Sequence, residues 1–455
     1  MADPTRHVAV LAFPFGTHAG PLLSLVRNLS AVAPDARFSF LSTSWSNQTL
    51  FSGTKGEEIK NVRPFDVDDG AREDHVPSGN PIEAVELFLK ATPGNFERGL
   101  DEAEKEVGLK IGCIVSDAFF WFAGDMAGER RIPWVPLWTA AVRSLFVHVD
   151  TDEIRRNLEA QGISNKDQTL DFLPGFSSIR SSDLPEGVII SPENSESPFD
   201  ILLHKMGLIL PKATAVLINS FHQMDPEISD HLKTRFRNFL HIGPLILTAP
   251  PNPKPEPDPS GCLEWLSGHR AASVIYVSFG SVVTAPRHEV AALAEALKES
   301  GFPFLWSYRG SKPEGILDDG ESESGVNGKL VTWAPQVEVL RHPSVGVFVT
   351  HCGWNSILES VVGGVPLICR PFFGDQRLNM RTVEAVWGIG VGLEGGVMTK
   401  QGVLGSLRRV LVEEDGKGMR ERIGVLKEFA YAAVGVDGSS RKDFNDLAEI
   451  VTNGD

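Results

Sequence analysis

Residues 345–356 read Val345-Gly-Val-Phe-Val-Thr-His-Cys-Gly-Trp-Asn-Ser356. The first half of this stretch is an apolar run typical of a buried strand, and the second half turns the chain into a helix. Backbone N–H groups at the start of such a helix, together with its dipole, form a site suited to a diphosphate. The stretch therefore predicts an α/β sheet with an anionic ligand at the carboxyl end of a strand.

Strands and helices alternate on both sides of this stretch, which is the pattern of βαβ units and a parallel sheet. The second half of the chain also predicts strands at 274–279, 304–307, 330–332 and 366–369, with a helix at roughly 289–298. The first half predicts strands at 8–13, 38–41, 111–115, 135–138 and 216–219, with a helix at 21–29.

A proline-rich segment separates the two halves. Six prolines lie between Ala249 and Pro259, a composition that forms an extended connector rather than a core element. We therefore predict an N-terminal domain at 1–248, a linker at 249–260 and a C-terminal domain at 261–435. The predicted fold class is α/β, with two Rossmann-like, doubly wound parallel-sheet domains facing a cleft.

The composition is that of a globular, acidic protein. The chain has 455 residues, of which 42% are hydrophobic, and a net charge of −16. Such a charge argues against non-specific binding to nucleic acid or anionic membranes. No apolar run is long enough for a membrane helix, and the four cysteines form no CxxC pair, so we expect reduced thiols in a cytoplasmic protein. These cysteines are Cys113, Cys262, Cys352 and Cys369.

His18 is the first candidate for chemistry. It lies in the loop Phe13-Pro-Phe-Gly-Thr-His-Ala-Gly-Pro21, at the carboxyl end of the first predicted strand. Imidazole exchanges a proton near neutral pH, so His18 is either a general base or a structural histidine. Asp117 also ends a predicted strand, and it could either orient an imidazole or cap the following helix.

The stretch from Trp333 to Gln376 collects side chains suited to a nucleotide sugar. Trp333 offers a flat face for a base, and Glu359 could accept hydrogen bonds from ribose hydroxyls. A zinc site at His351 and Cys352 is disfavoured, because no second Cys/His pair has metal-ligand spacing. Further donors to a diphosphate are Asn355 and Ser356, and Asp375 and Gln376 could read sugar hydroxyls.

Residues 333–376 are similar, without a gap, to the plant secondary-product glycosyltransferase motif. The chain thereby resembles the plant family 1 UDP-dependent glycosyltransferases, whose fold is called GT-B. The resemblance implies that the last helix, at about 436–455 and including Phe444 to Val451, packs back on the N-terminal domain. The stretches at 13–19, 172–187, 276–280 and 373–379 look most like flavonoid and anthocyanidin 3-O-glucosyltransferases.

This resemblance implies an inverting transfer of glucose from UDP-glucose to a flavonoid hydroxyl, with the 3-hydroxyl expected. His18 would be the catalytic base and Asp117 would orient it. No metal or other cofactor is expected, and the protein is expected to be a monomer. The residues implied for the donor are Thr139, Ser281, Trp333, Ala334, Gln336, His351, Trp354, Asn355, Ser356, Glu359, Asp375 and Gln376. Those implied for the acceptor are Gly16, Ile82, Phe119, His148, Phe199 and Phe373.

Two residues depart from the family pattern. Gly16 replaces a commoner Ser beside the base, and Ile82 stands where close relatives carry a Gln that bonds the acceptor. Loss of that bond would broaden acceptor choice. The terminal Gln376, rather than His, favours glucose over galactose in this family.

Other functions remain open from the residues alone. Asp66-Val-Asp68 matches the Asp-x-Asp of metal-dependent transferases but reads better as a solvated acidic loop. The glycines of 388–392 form a weak dinucleotide motif that lies late in the chain. A glucosyltransferase of other small phenolics, or a UDP-sugar-binding relative without activity, completes the alternatives.

Overall fold

The computed structural model divides the chain into two compact units. The first unit comprises residues 1–156, 190–251 and 433–455, and the second comprises residues 157–189 and 252–432. The structure describes residues 5–51, 60–72, 75, 81–160, 167–189, 197–248, 258–280, 284–309 and 327–453. Most of the predicted linker, 249–257, lies outside this part of the chain.

The first unit is built on a seven-stranded sheet whose neighbouring strands are all parallel. The strand order is β3-β2-β1-β4-β5-β6-β7, so the order reverses between β1 and β4, where ligands of open α/β sheets bind. The strands are β1 Arg6–Leu11, β2 Ala36–Thr43, β3 Val62–Val67, β4 Cys113–Asp117, β5 Trp134–Trp138, β6 Val216–Ile218 and β7 Phe239–His241.

Helices connect these strands and cover the sheet. In α1, Leu22, Leu25, Val26 and Leu29 recur at helical spacing and are fully buried in the core. The helices up to the second unit are α1 Ala19–Val32, α2 Ser44–Phe51, α3 Pro81–Ala91, α4 Gly94–Val107, α5 Phe122–Arg130, α6 Val142–Val149, α7 Thr151–Ala160, α8 Pro198–Ile209, α9 Pro226–Arg235 and α10 Leu245–Thr248.

The second unit has a six-stranded parallel sheet in the order β10-β9-β8-β11-β12-β13. Its strands are β8 Val274–Ser278, β9 Phe304–Ser307, β10 Gly328–Val331, β11 Val345–Thr350, β12 Leu367–Cys369 and β13 Gly390–Gly392. Its helices are α11 Cys262–Ser267, α12 Arg287–Ser300, α13 Gln336–Arg341, α14 Trp354–Gly363, α15 Gln376–Arg381, α16 Lys400–Leu411 and α17 Glu414–Val434.

The last helix, α18 (Ser439–Asn453), belongs to the first unit. Its buried Phe444, Leu447 and Val451 join the same apolar core as α1. Asp443 accepts a hydrogen bond of 2.7 Å from the backbone N–H of His241, which ties the helix to β7. The return of the chain end to the first sheet is therefore fixed by both apolar burial and a hydrogen bond.

Residues 157–189 group with the second unit, whereas the sequence analysis placed them in the first. One cause is visible in Asp183, which is buried and forms an ion pair of 3.1 Å with Arg381 of α15. Contacts of this kind decide to which unit the segment belongs, and its sequence does not reveal them.

The predicted fold class is confirmed, because both units are doubly wound parallel α/β domains as in the GT-B fold. β9 and β11 have the predicted bounds, whereas β3, β7 and β13 were missed. The Asp66-Val-Asp68 match begins inside β3, where Asn47 Nδ2 donates to Asp66 Oδ1 at 2.7 Å, so its prediction as a loop was wrong for Asp66. Residues 390–392 of the weak glycine motif form β13 rather than a phosphate loop.

All four cysteines are buried and free, as predicted for reduced thiols. Burial raises the pKa of Cys113 to about 12 and that of Cys262 to about 11, so neither is a thiolate at neutral pH. None of the described helices is both long and apolar enough to span a membrane.

Buried histidines predict that acid destabilises the protein. Burial lowers the pKa of His148 and His351 to about 4 and that of His241 to about 3. Because the unfolded chain takes up these protons near pH 6.5 and the folded chain does not, the stability that they contribute is complete above pH 6.5. It is lost as the pH falls toward 4, by up to about 1.4 kcal/mol per pH unit for each histidine.

Urea denaturation at pH 8, 6.5 and 5 measures this effect. Asp225 opposes it in part, because burial raises its pKa to about 6. The variant His241→Phe removes one of the three histidines, so its stability should fall less between pH 6.5 and 5 than that of the parent. An equal fall in both proteins would contradict the assignment.

Candidate active site

Three neighbouring strands of the first sheet bring three polar side chains together. His18 follows β1, Asp117 ends β4, and Thr139 follows β5, and these strands lie side by side in the sheet. The carboxyl ends of parallel strands meet at one edge, so residues far apart in sequence become neighbours there. The sequence pattern alone left this contact open.

His18 and Asp117 are in direct contact. The Nδ1 atom of His18 lies 2.8 Å from Oδ2 of Asp117. Asp117 is 2% exposed and His18 is 22% exposed, so the carboxylate is buried while the imidazole reaches solvent. Because an ionised carboxylate only accepts hydrogen bonds, Nδ1 carries the proton in the neutral ring and Nε2 presents a lone pair.

The second oxygen of Asp117 is held by the main chain. Oδ1 accepts a hydrogen bond of 2.9 Å from the N–H of Phe119, which fixes the carboxylate at the turn after β4. Asp117 therefore closes this turn and contacts His18, whereas the helix that it could have capped begins only at Phe122. The imidazole is oriented by a group that is itself oriented.

Aromatic side chains surround this imidazole. The ring of Phe119 lies 4.5 Å from that of His18, and Phe13 lies 5.2 Å away on an edge-to-face contact. Phe199 of α8 packs against Phe119 at 5.4 Å and is 38% exposed. Phe13, Phe119 and Phe199, which we call the aromatic wall, form an apolar surface beside the imidazole that suits a flat ligand. Phe13 was quoted in the sequence motif, but it was not assigned to the site.

The remaining acceptor candidates are divided between the two units. His148 is buried, and its ring lies 5.8 Å from Trp138. Gly16 has a φ of 62°, a region that favours glycine, so a Ser at this position would be strained. Ile82 lies in α3, and its side chain is outside the described part of the chain. Phe373 belongs to the second unit and is 46% exposed.

Thr139 lies against the imidazole of His18. Its Oγ1 is 3.1 Å from Nδ1 of His18, so it can share the Nδ1 proton with Asp117. The family resemblance implied a contact with glucose for this residue. The geometry adds a second interpretation, in which Thr139 helps to orient the imidazole.

We expect Thr139→Val to lower kcat by about tenfold, since one hydrogen bond to the ring is lost, and Thr139→Ser to keep most of it. Steady-state kinetics at saturating acceptor distinguish the two interpretations. A raised KM for UDP-glucose with kcat unchanged would instead assign Thr139 to the sugar alone.

In the second unit, His351 follows β11 in a very crowded turn. A Cβ atom added to Gly280 would lie 2.9 Å from the His351 ring, and one added to Gly353 would lie 2.5 Å from Nε2. Cys352 has a φ of 65°, which is uncommon for a residue other than glycine. Among the described residues, no group hydrogen-bonds the buried Nδ1 atom of His351. The turn thus holds one imidazole rigidly at the start of α14.

A hydrogen-bond network joins three of the candidates for binding the donor. Gln336 Nε2 donates to Ser356 Oγ at 3.1 Å and to Glu359 Oε2 at 2.5 Å. Its Oε1 accepts from the hydroxyl of Tyr276 at 3.1 Å, a contact that the sequence analysis missed. Gln336 begins α13, while Ser356 and Glu359 lie on one face of α14, so the network connects the two helices.

Asp375 and Gln376 lie where the chain enters α15. Gln376 Oε1 accepts the N–H of Phe372 at 2.8 Å and that of Phe373 at 3.3 Å. Asn379, which was not assigned a role from sequence, donates to Asp375 Oδ2 at 3.1 Å and to the Cys352 carbonyl at 3.0 Å. Asn379 therefore connects Asp375 to the turn that holds His351.

The other donor candidates fall in the same unit, with one outside the described residues. Trp333 follows β10 and is half-buried, and Ala334 is buried beside it. Trp354 and Asn355 open α14, where Trp354 packs against Trp387 at 6.3 Å. Ser281 lies outside the part of the chain that the structure describes. No cluster of three potential metal ligands occurs among the described residues.

Most of the chain matches the sequence model of a known protein family. The sequence model of UDP-glucoronosyl and UDP-glucosyl transferase matches residues 100–424. The match covers well over half of the chain, and the chain therefore belongs to this family of UDP-dependent glycosyltransferases.

Individual relatives align over almost their whole length. The chain is 53% identical over 458 residues to flavonol 3-O-glucosyltransferase F3GT2 of Actinidia chinensis var. chinensis, covering 99% of this chain and 98% of the relative. It is 49% identical over 451 residues to anthocyanidin 3-O-glucosyltransferase UFGT of Vitis vinifera, covering 98% and 97%. It also matches a crystal structure of UDP-glucose: anthocyanidin 3-O-glucosyltransferase in complex with UDP, with a TM-score of 0.92, 42% identity, and coverage of 99% and 100%.

Proposed function

We propose that this enzyme transfers glucose from UDP-glucose to the 3-hydroxyl of a flavonol or anthocyanidin and forms a β-glucoside. The contact between His18 and Asp117, beside the aromatic wall, is the observation that carries this proposal. The relatives named for this activity support the choice of substrates, since the alignment to them is nearly complete.

His18 acts as the base in this proposal. A phenolic hydroxyl has a pKa of about 10 and is poorly ionised at neutral pH. The lone pair on Nε2 accepts the hydroxyl proton as the oxygen attacks the anomeric carbon, and the imidazolium that forms is stabilised by Asp117 at 2.8 Å. The bond to the diphosphate breaks on the opposite face, so the configuration inverts.

The second unit stabilises the leaving UDP. Negative charge grows on the diphosphate as the bond breaks, and the N–H groups at the start of α14 attract it through the helix dipole. His351, Asn355 and Ser356 supply further hydrogen-bond donors. Trp333 is proposed to stack on uracil, and the network of Gln336 and Glu359 to hold the ribose.

A panel assay tests the proposal. Purified protein is incubated with UDP-glucose and with flavonols, anthocyanidins and simple phenols, and the products are identified by NMR. A 3-O-β-glucoside as the main product supports it. Equal turnover of unrelated phenols would favour the broad-specificity alternative, to which Ile82 would contribute.

The same assay tests separately which UDP-sugar the enzyme uses. A relative that is 50% identical over 452 residues is named anthocyanidin 3-O-galactosyltransferase F3GT1, so relatives of this similarity differ in their sugar. Gln376 supports glucose for the present chain. A higher kcat/KM with UDP-galactose than with UDP-glucose would overturn that part of the proposal.

We also propose that the reaction needs no metal, that the protein is a monomer and that it acts in the cytoplasm. Transfer should persist in EDTA, because the donors at α14 are proposed to neutralise the leaving group. Sedimentation and a fluorescent fusion test the other two statements.

A further inference from the structure

Arg370 and Glu289 form a buried pair directly before the loop that carries Asp375 and Gln376. Arg370 Nε donates to Glu289 Oε2 at 2.9 Å, and Nη2 donates to Oε1, so the contact is bidentate. Both side chains are less than 10% exposed. A bidentate arginine is planar and defined in orientation, unlike a lysine at the same place.

The rest of the guanidinium is used to hold the loop. Nη1 donates to the carbonyl of Pro371 at 2.8 Å, and the group lies 3.8 Å from the centre of the Phe372 ring. Glu289 Oε2 also accepts the N–H of Met398 at 2.8 Å. The pair therefore fixes the first two loop residues against α12 and the segment before α16.

The charge of Arg370 is already satisfied within the protein. Burial alone would raise the pKa of Glu289, but the hydrogen bonds from Arg370 and Met398 outweigh it and lower that pKa. The carboxylate is thus ionised at neutral pH and neutralises the arginine. An arginine paired in this way is poorly suited to bind a diphosphate directly.

The loop in turn fixes the amide of Gln376. Its Oε1 accepts two backbone N–H groups, from Phe372 and Phe373. If the amide were rotated by 180°, its NH2 group would point at these two N–H donors and both hydrogen bonds would be lost. The NH2 group is what remains to face a ligand. Gln376 can then only donate to a hexose oxygen, and the direction of that donation depends on where Phe372 lies.

We propose that Arg370 and Glu289 are positioning residues that hold residues 371–376 so that Gln376 donates to the hexose, and thereby set hexose selectivity. The inference rests on the proposed function, in which Asp375 and Gln376 read the hexose. Neither residue of the pair touches the donor itself.

The test compares variants that remove the pair in different ways. Arg370→Lys keeps the positive charge but loses the bidentate contact. The double variant Arg370→Met/Glu289→Met removes both charges together, which buried pairs commonly tolerate without unfolding. Arg420→Met is the matched control, because Arg420 lies in the same unit and donates to the Val410 carbonyl at 2.9 Å, away from the loop.

For each variant we measure the melting temperature, the Kd for UDP, and kcat and KM with both UDP-glucose and UDP-galactose. We expect the Kd for UDP to stay within about twofold and the preference for one hexose over the other to fall by about tenfold, mainly through KM. Arg420→Met should change neither quantity. A merely structural role would lower the melting temperature without changing the preference.

Two results would overturn the proposal. One is an unchanged preference in both variants, and the other is a loss of UDP affinity as large as the loss of UDP-glucose affinity. Calorimetric binding of UDP, UDP-glucose and UDP-galactose gives these answers even if the parent enzyme glucosylates no flavonoid. Failure of the acceptor assay would therefore refute the proposed function and leave the positioning role separately measurable.

Discussion

His18→Ala should lower kcat by about 10³-fold or more while leaving UDP binding intact. The variant loses the base that accepts the acceptor proton, a step that typically contributes 10²–10⁴-fold, and it loses the contact with Asp117 as well. Apart from Thr139, which the resemblance assigns to the glucose, the donor candidates lie in the second unit, so the Kd for UDP should change little. Single-turnover assays with a flavonol and calorimetry with UDP measure the two effects.

A second histidine of the same unit supplies the control. His222 Nε2 contacts Asp230 Oδ1 at 2.9 Å, a geometry similar to that of His18, but outside the aromatic wall. His222→Ala should therefore retain nearly full activity. Undiminished transfer by His18→Ala, or an equal loss in both variants, would show that His18 is not the base.

The sequence predicted a strand correctly where its own residues favour the extended structure that they adopt. The run Val345–Thr350 is continuous in apolar and β-branched residues, and β11 has these same bounds. By contrast, β3 contains Pro64, which an edge strand tolerates because, among the described strands, only β2 pairs with it. The sequence of such a strand therefore resembles a loop.

Strand β13 was missed for a different reason. It is only Gly-Val-Gly, and its extended form is imposed by pairing with β12 rather than by propensity. A Cβ atom added to Gly390 would lie 2.4 Å from the Leu367 carbonyl oxygen. The glycine that weakens the strand pattern is thus required by the close approach of the two strands.

In the candidate site, too, the sequence predicts some features and not others. Single residues such as His18 and Gln336 could be chosen from sequence, because each stands at a strand end or within a long motif. The contacts of Thr139 with His18 and of Asn379 with Cys352 could not, since they join residues on different elements. Such contacts follow from strand order and helix placement, which periodicity does not specify.

His351→Ala should weaken UDP binding by about tenfold or more and lower kcat by about 10²-fold. The imidazole is held beside Gly280 and Gly353 at the start of α14, where the diphosphate is proposed to bind. Loss of a hydrogen bond to a charged group accounts for the weaker binding. The larger effect on kcat follows because the diphosphate gains charge as it leaves. Calorimetry and steady-state kinetics separate the two quantities.

The pH dependence of UDP affinity identifies the protonation state in which His351 binds the diphosphate. Because burial lowers its pKa to about 4, His351 is neutral between pH 6 and 8 and donates a single N–H. His351→Gln retains a neutral N–H donor, so the ratio of UDP affinities of parent and variant should stay constant across this range. A ratio that rises as the pH falls from 8 to 6 would show an imidazolium instead. His269→Ala, which removes a ring bonded to the Trp265 carbonyl, serves as the control for losing a histidine elsewhere in the unit.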